Sequence, residues 1–169
     1  MRLLTGLAVV VAAALYGAEA LITLPRLSAM AGGQAMFDLR AGGYDPAQAR
    51  SLLAALGEAG RAYYAGPQQT LDGLLPAALA LAVGLVLWRI APGRVAVAGS
   101  LLAVAAAGAD WLENARIGAL LAAGPEGITP AMVAAASLAT RAKALSWGLA
   151  LGLLAIVLAR AAILRYRRG

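Results

Sequence analysis

The chain has 169 residues, of which 62% are hydrophobic and 13% charged, and its formal net charge is +6. A soluble domain usually carries about a quarter charged residues, so this composition and the mean hydropathy of +0.80 indicate an integral membrane protein. The absence of Cys and His excludes disulfides, thiol nucleophiles, imidazole bases and the usual zinc or haem ligands, and the basic residues form no stripe that would indicate nucleic-acid binding.

Four apolar segments are predicted to cross a membrane as helices, which takes about 20 residues each. They are residues 3–24, 71–89, 95–123 and 131–160. The first is also compatible with a secretory signal, because Ala18-Glu19-Ala20 resembles a cleavage site. A glutamate is unusual there, so we expect this segment to remain as a span. The sequence therefore predicts an all-α fold in a single domain, a transmembrane four-helix bundle.

The long loop between the first two spans, about residues 25–70, is predicted to contain a helix of its own. Asp45-Pro46 is typical of a helix start, and Gly66-Pro67 is typical of a helix end. The apolar residues between them share one helical face: Leu52, Leu56, Ala59 and Tyr63. Arg50 and Arg61 lie on the opposite face. We expect this amphipathic helix to lie on the membrane surface or to cover the mouth of the bundle.

The basic residues predict how the spans are oriented. Arg2 precedes the first span, and Arg89 and Arg94 flank the short connection between the second and third. The fourth span is followed by Arg160, Arg165, Arg167 and Arg168. All three places lie on one side of a four-span bundle, whereas the connection at residues 124–127 has no basic residue. The pattern predicts that both termini lie in the cytoplasm and the long loop outside; in a bacterial protein this corresponds to the cytoplasmic membrane.

Each span becomes polar at the end that faces the long loop. Counted from Arg94 at about 1.5 Å per residue, Asp110 lies roughly 24 Å across the membrane, near its outer surface. Glu19, Asp72 and Arg141 reach the same level in the other three spans. We therefore expect one polar site beneath the long loop.

The polar residues of the third span share a helical face. Asp110, Glu113 and Asn114 lie together because they are three and four residues apart. Arg116 is close enough in helical phase to pair with Glu113. Three polar groups on one face rarely serve packing alone, so we interpret this face as functional. The structural alternative is an acid–arginine pair that locks two helices together.

The fourth span offers two cations, Arg141 and Lys143, about 200° apart on the helix. Arg141 shares a stripe with Gly148 and Gly152, whose four-residue spacing is typical of close helix packing in membranes. We therefore predict that Arg141 faces the bundle. Lys143 is expected to extend toward the membrane interface.

These positions define the candidate site. The predicted catalytic residues are Asp72, Asp110 and Glu113. The predicted substrate-binding residues are Glu19, Asp38, Arg40, Asn114, Arg116 and Arg141. Asp38 and Arg40 are alternatively solvated or paired with each other. A carboxyl without a cationic partner is suited to act there as a general acid or proton carrier. No cofactor is predicted, although Mg²⁺ or Ca²⁺ on the three catalytic carboxylates is an alternative.

The sequence resembles small bacterial four-span membrane proteins of unknown function. The resemblance lies in the pattern MFDLRAGGYDPAQARSLLAALGEAGRAYY, in the spaced Gln and Leu-Asp that follow it, and in the later DWLEN. The resemblance covers about residues 37–114. It implies that the following residues belong together: Asp38, Arg40, Arg61, Gln68, Asp72, Asp110, Glu113 and Asn114. It implies no activity.

Three functions are compatible with these features. An intramembrane enzyme would use the carboxyls in acid–base chemistry on a lipid-like or isoprenoid molecule, or the site would bind such a molecule. A non-catalytic accessory subunit would use the polar cluster or the seam at Gly148 and Gly152 to contact a partner membrane protein or a second copy. A transport component would admit a small solute or protons, but the cytoplasmic halves of the spans are purely apolar.

Overall fold

The computed structural model describes residues 1–167, which are largely helical and contain no β-strand. The α-helices are α1 (Arg2–Ala18), α2 (Leu24–Met30), α3 (Pro46–Tyr63), α4 (Gln69–Ile90), α5 (Gly93–Gly127) and α6 (Pro130–Tyr166). A π-helical turn, Glu19–Thr23, joins α1 to α2, and a second, Tyr64–Gln68, joins α3 to α4. A short 3₁₀ turn, Phe37–Leu39, lies between α2 and α3. The predicted all-α fold is confirmed; Arg168 lies outside the described residues.

Four helical stretches are long and apolar enough to cross a membrane, as predicted: Arg2–Met30, Pro46–Ile90, Gly93–Gly127 and Pro130–Tyr166. Helices α1 and α5 run toward one end of the bundle, and α4 and α6 run back from it. The start of α1, the turn at residues 91–92 and the end of α6 therefore share the opposite end, called the terminal end below. The chain is a membrane protein with a four-helix bundle.

The spans pack through small side chains. Helix α5 packs on both α4 and α6, whereas α1 packs chiefly on α4. The bundle core contains Val83, Leu87, Ala96, Ala103, Ala106, Ala107, Trp147, Ala150 and Val157. Alanines at these contacts let the helix backbones approach closely. Large apolar side chains such as Leu3, Leu101 and Leu145 are exposed on the outside of the bundle, which is the surface that lipid would cover.

The segment from Leu24 to Tyr63 forms a cap over the other end of the bundle. Its buried residues, among them Leu27, Phe37, Leu52, Leu53 and Leu56, form a cap core with Ile117 and Leu120 of α5 and Val133 and Ala136 of α6. Helix α3 begins at Asp45-Pro46, as predicted: Asp45 Oδ1 accepts from the Gln48 amide at 2.8 Å, and Gln48 Oε1 accepts from the Asp45 amide at 3.0 Å. Helix α3 therefore packs on α5 and α6 at this end of the bundle as part of the cap core.

Two predicted helix ends are wrong. The first helical stretch continues past Pro25 to Met30, and α3 continues through Gly66-Pro67 into α4. Proline lacks an N–H and its ring collides with the carbonyl four residues earlier. In a π-helical turn the N–H bonds to the carbonyl five residues earlier instead of four; the Leu24 amide, for example, bonds to the Glu19 carbonyl. Such a turn lies at or next to each proline, so the helical stretch continues although the proline lacks an N–H.

The predicted apolar face of α3 is correct only in its first half. Leu52 and Leu56 are buried, but Ala59 is exposed and Tyr63 is half-buried. Gly57 has φ +62°, which interrupts the regular helix and shifts the phase of the residues that follow. After the interruption the buried positions are Gly60 and Tyr64.

Candidate functional site

A layer of buried polar side chains lies between the bundle core and the cap core. On α5, Asp110 and Glu113 come between Ala107 of the bundle core and Ile117 of the cap core. The same order holds, in reverse chain direction, on α6 and in the stretch from α3 to α4. In the first helical stretch, Glu19 and Thr23 lie between Ala12, which packs on α4, and Leu27 of the cap core. The polar layer consists of the buried residues Glu19, Thr23, Gln68, Asp72, Asp110, Glu113 and Thr140 and the half-buried Asn114 and Lys143. Of the residues expected from span depth to converge, Glu19, Asp72 and Asp110 lie in this layer, whereas Arg141 does not.

Lys143 is the cation that holds the acids of α5. Its Nζ lies 3.4 Å from Asp110 Oδ1 and also contacts Glu113 Oε2. Trp147, one turn further along α6, donates from Nε1 to Asp110 Oδ2 at 2.8 Å. Glu113 is completely buried, with 0% exposure. The two carboxylates of α5 are therefore fixed by α6.

The prediction that Arg141 faces the site and Lys143 faces away is wrong. Arg141 is exposed, and its stem lies against the backbone of Gly43 in the cap. The face of α6 that packs inward is set by Thr140, Lys143 and Trp147, which are three and four residues apart. Gly148 and Gly152, whose spacing led to the prediction for Arg141, are also exposed on the outward face of α6.

Three other arginines do not reach the polar layer. Arg116 is exposed and makes no ion pair with Glu113 within residues 1–167, contrary to the expected local pairing. Arg40 donates from Nε and Nη2 to the Ala35 carbonyl at 3.0 and 2.8 Å, so it is not paired with Asp38. Arg61 donates to the Leu53 carbonyl at 3.4 Å within the cap. A substrate-binding role for Arg40 and Arg116 therefore has no support in the geometry.

Asn114 joins α5 to α4 through the backbone of Asp72. Its Nδ2 donates to the Asp72 carbonyl at 2.9 Å. That carbonyl lacks its ordinary helical donor, because Pro76, four residues later, has no N–H. Gln69 Nε2 in turn donates to the Asn114 carbonyl at 2.7 Å. The amide nitrogen of Asn114 is thus engaged in helix pairing, while its Oδ1 has no hydrogen-bond partner in the described chain.

The two π-helical turns meet at the polar layer. Thr23 Oγ1, in the first turn, donates to Gln68 Oε1, in the second. Glu19 opens the first turn and is 5% exposed. Turns of this kind are frequent at functional sites because they redirect the side chains of a helix. Here they bring Glu19 and Asp72 to the same level.

Asp38, in the 3₁₀ turn of the cap, lies on the cap side of the polar layer. The completely buried Tyr64 donates from Oη to Asp38 Oδ1, and the carboxyl adds its negative charge to the surroundings of Glu19 and Asp72. Tyr44 lies next to this segment and packs against Phe37, with 4.8 Å between ring centroids and an angle of 44° between the ring planes. Burial raises the pKa of Tyr44 to about 12, so its hydroxyl is neutral at physiological pH.

Negative groups outnumber positive groups in the polar layer. Four buried carboxyls, those of Glu19, Asp72, Asp110 and Glu113, face a single ammonium, that of Lys143. Several buried polar atoms have no hydrogen-bond partner within residues 1–167: Glu19 Oε1, Gln68 Nε2, Asp72 Oδ2, Glu113 Oε1 and Asn114 Oδ1. Buried polar atoms are normally paired, so this layer has spare capacity to bind polar groups.

The described residues include no group of three Asp, Glu, His or Cys side chains arranged to hold a metal ion. Asp110 and Glu113 are instead engaged by Lys143, and Asp72 lies on a different helix. The alternative of Mg²⁺ or Ca²⁺ on these three carboxylates therefore has no support in the geometry.

An apolar cleft leads along the bundle toward the polar layer. It has a volume of about 430 Å³ and lies between α1, α4 and α6. Its lining includes Ala12, Tyr16, Leu75, Leu79, Leu151 and Leu154, but no residue of α5 and none of the acids of the polar layer. Because α1 packs chiefly on α4, the gap between α1 and α6 opens sideways from the bundle.

Helical spacing connects the walls of this cleft to the polar layer. Glu19 follows Tyr16 by three residues, and Asp72 precedes Leu75 by three residues. On α6, Lys143 and Leu151 are eight residues apart and share a face. Each wall of the cleft thus continues into a charged residue at the cap end. Glu19 and Asp72 are the acids of the polar layer that belong to helical stretches lining the cleft, whereas Asp110 and Glu113 lie on α5, which does not line it.

Several residues of the site were not assigned a role from the sequence: Thr23, Tyr44, Thr140 and Trp147. The spacing of Thr140, Lys143 and Trp147 on α6 is a signal that could have identified two of them. Thr23 and Tyr44 carry no such signal, because their positions depend on a π-helical turn and on an irregular connection.

Comparison of the chain with protein-family models, with curated proteins and with solved structures gave no match. The function therefore has to be inferred from the geometry of the polar layer and the cleft.

Proposed function

We propose that this membrane protein binds a lipid-like molecule in the apolar cleft and carries out acid–base chemistry on its polar end in the polar layer. The observation that carries the proposal is the helical spacing between the two: Glu19 and Asp72 are buried acids three residues from Tyr16 and Leu75, which line an apolar cleft of about 430 Å³. Its volume is in the range of about 300–1,000 Å³ that is typical of small-molecule sites. Its sideways opening would admit a ligand directly from the membrane.

Glu19 and Asp72 are the proposed acid and base. Each has one buried carboxyl oxygen without a hydrogen-bond partner in the described chain. One carboxyl in its protonated form would donate a proton, and the other in its ionised form would accept one. Isomerisation, cyclisation or epoxide opening of an isoprenoid or acyl lipid needs only these two steps.

Asp110 and Glu113 have a different role in this proposal from the one expected from the sequence. They are held by Lys143 and Trp147 and lie on α5, which contributes no residue to the cleft lining. We assign them to fixing the Lys143 ammonium at the end of the cleft, where it would stabilise negative charge that develops on the ligand. The distribution of arginines supports placing the cap outside a bacterial cytoplasmic membrane and the terminal end in the cytoplasm.

The lipids of a strain that lacks the gene test this proposal. Complementation with the wild-type gene should restore the lipid profile, and complementation with Asp72→Asn or Glu19→Gln should leave the substrate accumulated. Removing a general acid or base lowers turnover by roughly 10²–10⁴-fold. Glu58→Gln is the matched control, because Glu58 is an exposed acid of α3. An unchanged lipid profile in the deletion strain under several growth conditions would contradict the enzymatic proposal.

A second candidate function is that of an accessory subunit. It is favoured by Gly148 and Gly152, which are exposed and have open space next to them, as expected of a seam for another membrane helix. Gly148→Ile should then abolish co-purification of that partner without altering the lipid profile. A transport function has less support, because the bundle core between the polar layer and the terminal end is apolar.

A further inference from the structure

A separate cavity lies at the terminal end of the bundle. It has a volume of about 480 Å³ and is formed by the end of α4, the turn that follows it, the start of α5 and α6. Arg89 is 17 residues beyond Asp72, so the cavity is about 25 Å from the polar layer along α4. Most of its lining is apolar, including Ile90, Val95, Leu153, Ile156 and Val157. Two arginines, Arg89 and Arg160, complete the lining.

Neither of these arginines has an acidic neighbour. There is no Asp or Glu in α4 beyond Asp72, in α5 before Asp110, or anywhere in α6. Within residues 1–167 neither guanidinium forms an ion pair. Two cations from different helices therefore line one apolar cavity without a counter-charge from residues 1–167. The ligand that complements such a cavity is an anion with apolar chains.

We propose that this cavity binds an anionic phospholipid, with the phosphate between Arg89 and Arg160 and an acyl chain along the apolar lining. A guanidinium offers paired N–H donors that match the oxygens of a phosphate. Basic pockets between membrane helices are a common setting for anionic lipid headgroups. The net positive charge of the cavity selects an anionic headgroup over a zwitterionic one. The proposal is independent of the chemistry assigned to the polar layer.

The test uses the full-length protein in detergent with dioleoyl-phosphatidylglycerol or dioleoyl-phosphatidylcholine, which share their acyl chains. Native mass spectrometry counts the lipids retained. The wild type should retain phosphatidylglycerol preferentially. The double variant Arg89→Gln, Arg160→Gln should bind it about fivefold more weakly for each arginine removed. Arg94→Gln is the matched control, because Arg94 is an exposed arginine next to the same turn but does not line the cavity.

Three results would overturn the proposal. Equal retention of the two lipids by the wild type would show that binding does not depend on the charge of the headgroup. An equal loss in Arg94→Gln would show that surface charge in general is responsible. Displacement of the lipid by millimolar inorganic phosphate would identify an anion site without a lipid component. Arg89→Lys with Arg160→Lys keeps both charges and should retain part of the preference. Unfolding of each variant without lipid provides the check on its fold.

Discussion

Lys143 is the only lysine of the chain, and it shows how well the orientation of a single side chain can be predicted from the sequence. Its spacing from Thr140 and Trp147 places all three on one face, but the stripe of Arg141, Gly148 and Gly152 is equally regular. In a helix surrounded by lipid, both stripes are flanked by apolar residues, so hydrophobic periodicity cannot separate them. The choice depends on the acids of α5, Asp110 and Glu113, which lie across the helix interface.

Lys143→Met is expected to destabilise the protein by about 3 kcal/mol, because removing one partner of a buried ion pair leaves the other charge uncompensated. Here two carboxylates, those of Asp110 and Glu113, would lose their cation. The free energy of unfolding in detergent, measured by denaturant titration, provides the test. Arg141→Met is the control and should change that free energy by less than about 0.5 kcal/mol, since Arg141 is exposed. Equal effects of the two substitutions would argue against the pairing.

Gly43 holds the cap connection against α6. It has φ +87°, and a Cβ at this position would lie 2.6 Å from Ser137 Oγ. The same Ser137 oxygen accepts from the Tyr44 amide at 2.9 Å. Gly43→Ala should therefore destabilise the fold by about 1–3 kcal/mol. Gly42→Ala has open space beside it and should be close to neutral in the same unfolding measurement; comparable losses would show that Gly43 has no special role.

At the scale of whole elements, the sequence predicts the four spans well and the cap poorly. Span ends marked by turns and arginines are correct: α4 ends at Ile90 and α6 begins at Pro130. The helix ends predicted at Pro25 and Pro67 are wrong. A proline ends an isolated helix, but here each proline lies in a longer helical stretch whose π-helical turn is stabilised by tertiary contacts. The bond between Thr23 and Gln68 is such a contact, and no local pattern reveals it.

The pairing of α4 with α5 can be tested through Pro76. Asn114→Ala removes the donor to the Asp72 carbonyl and should cost about 1–2 kcal/mol, since it leaves a buried carbonyl unpaired. Pro76→Ala supplies an N–H that can bond to the same carbonyl. In that background Asn114→Ala should cost about 1 kcal/mol less. A double-mutant cycle measures the difference, and an identical cost in both backgrounds would contradict this account of the Asn114 hydrogen bond.

At the scale of the whole molecule, the helix directions follow from the structure, whereas the sidedness is a proposal based on the arginines. The chain has no cysteine, so single cysteines report sidedness without background. Glu126→Cys, at the cap end, should react with a membrane-impermeant maleimide in intact cells. Gly93→Cys, at the terminal end, should react only after the membrane is permeabilised. The reverse labelling pattern would invert the proposed topology, and the cysteine-free parent is the blank.

The position of the polar layer between two apolar cores also determines the axial registry of the four helices. Alanine-rich faces such as those of the bundle core are smooth, so on their own they allow one helix to slide along another. A slip of α6 by one turn, about 5.4 Å, would move the Lys143 ammonium away from Asp110 and Glu113 and place it against apolar residues. Buried polar groups of this kind can select one alignment at some cost in stability. The carboxyls and the lysine thus fix the axial alignment of the helices. The spans can enter the bilayer separately, and only one alignment lets their polar ends pair.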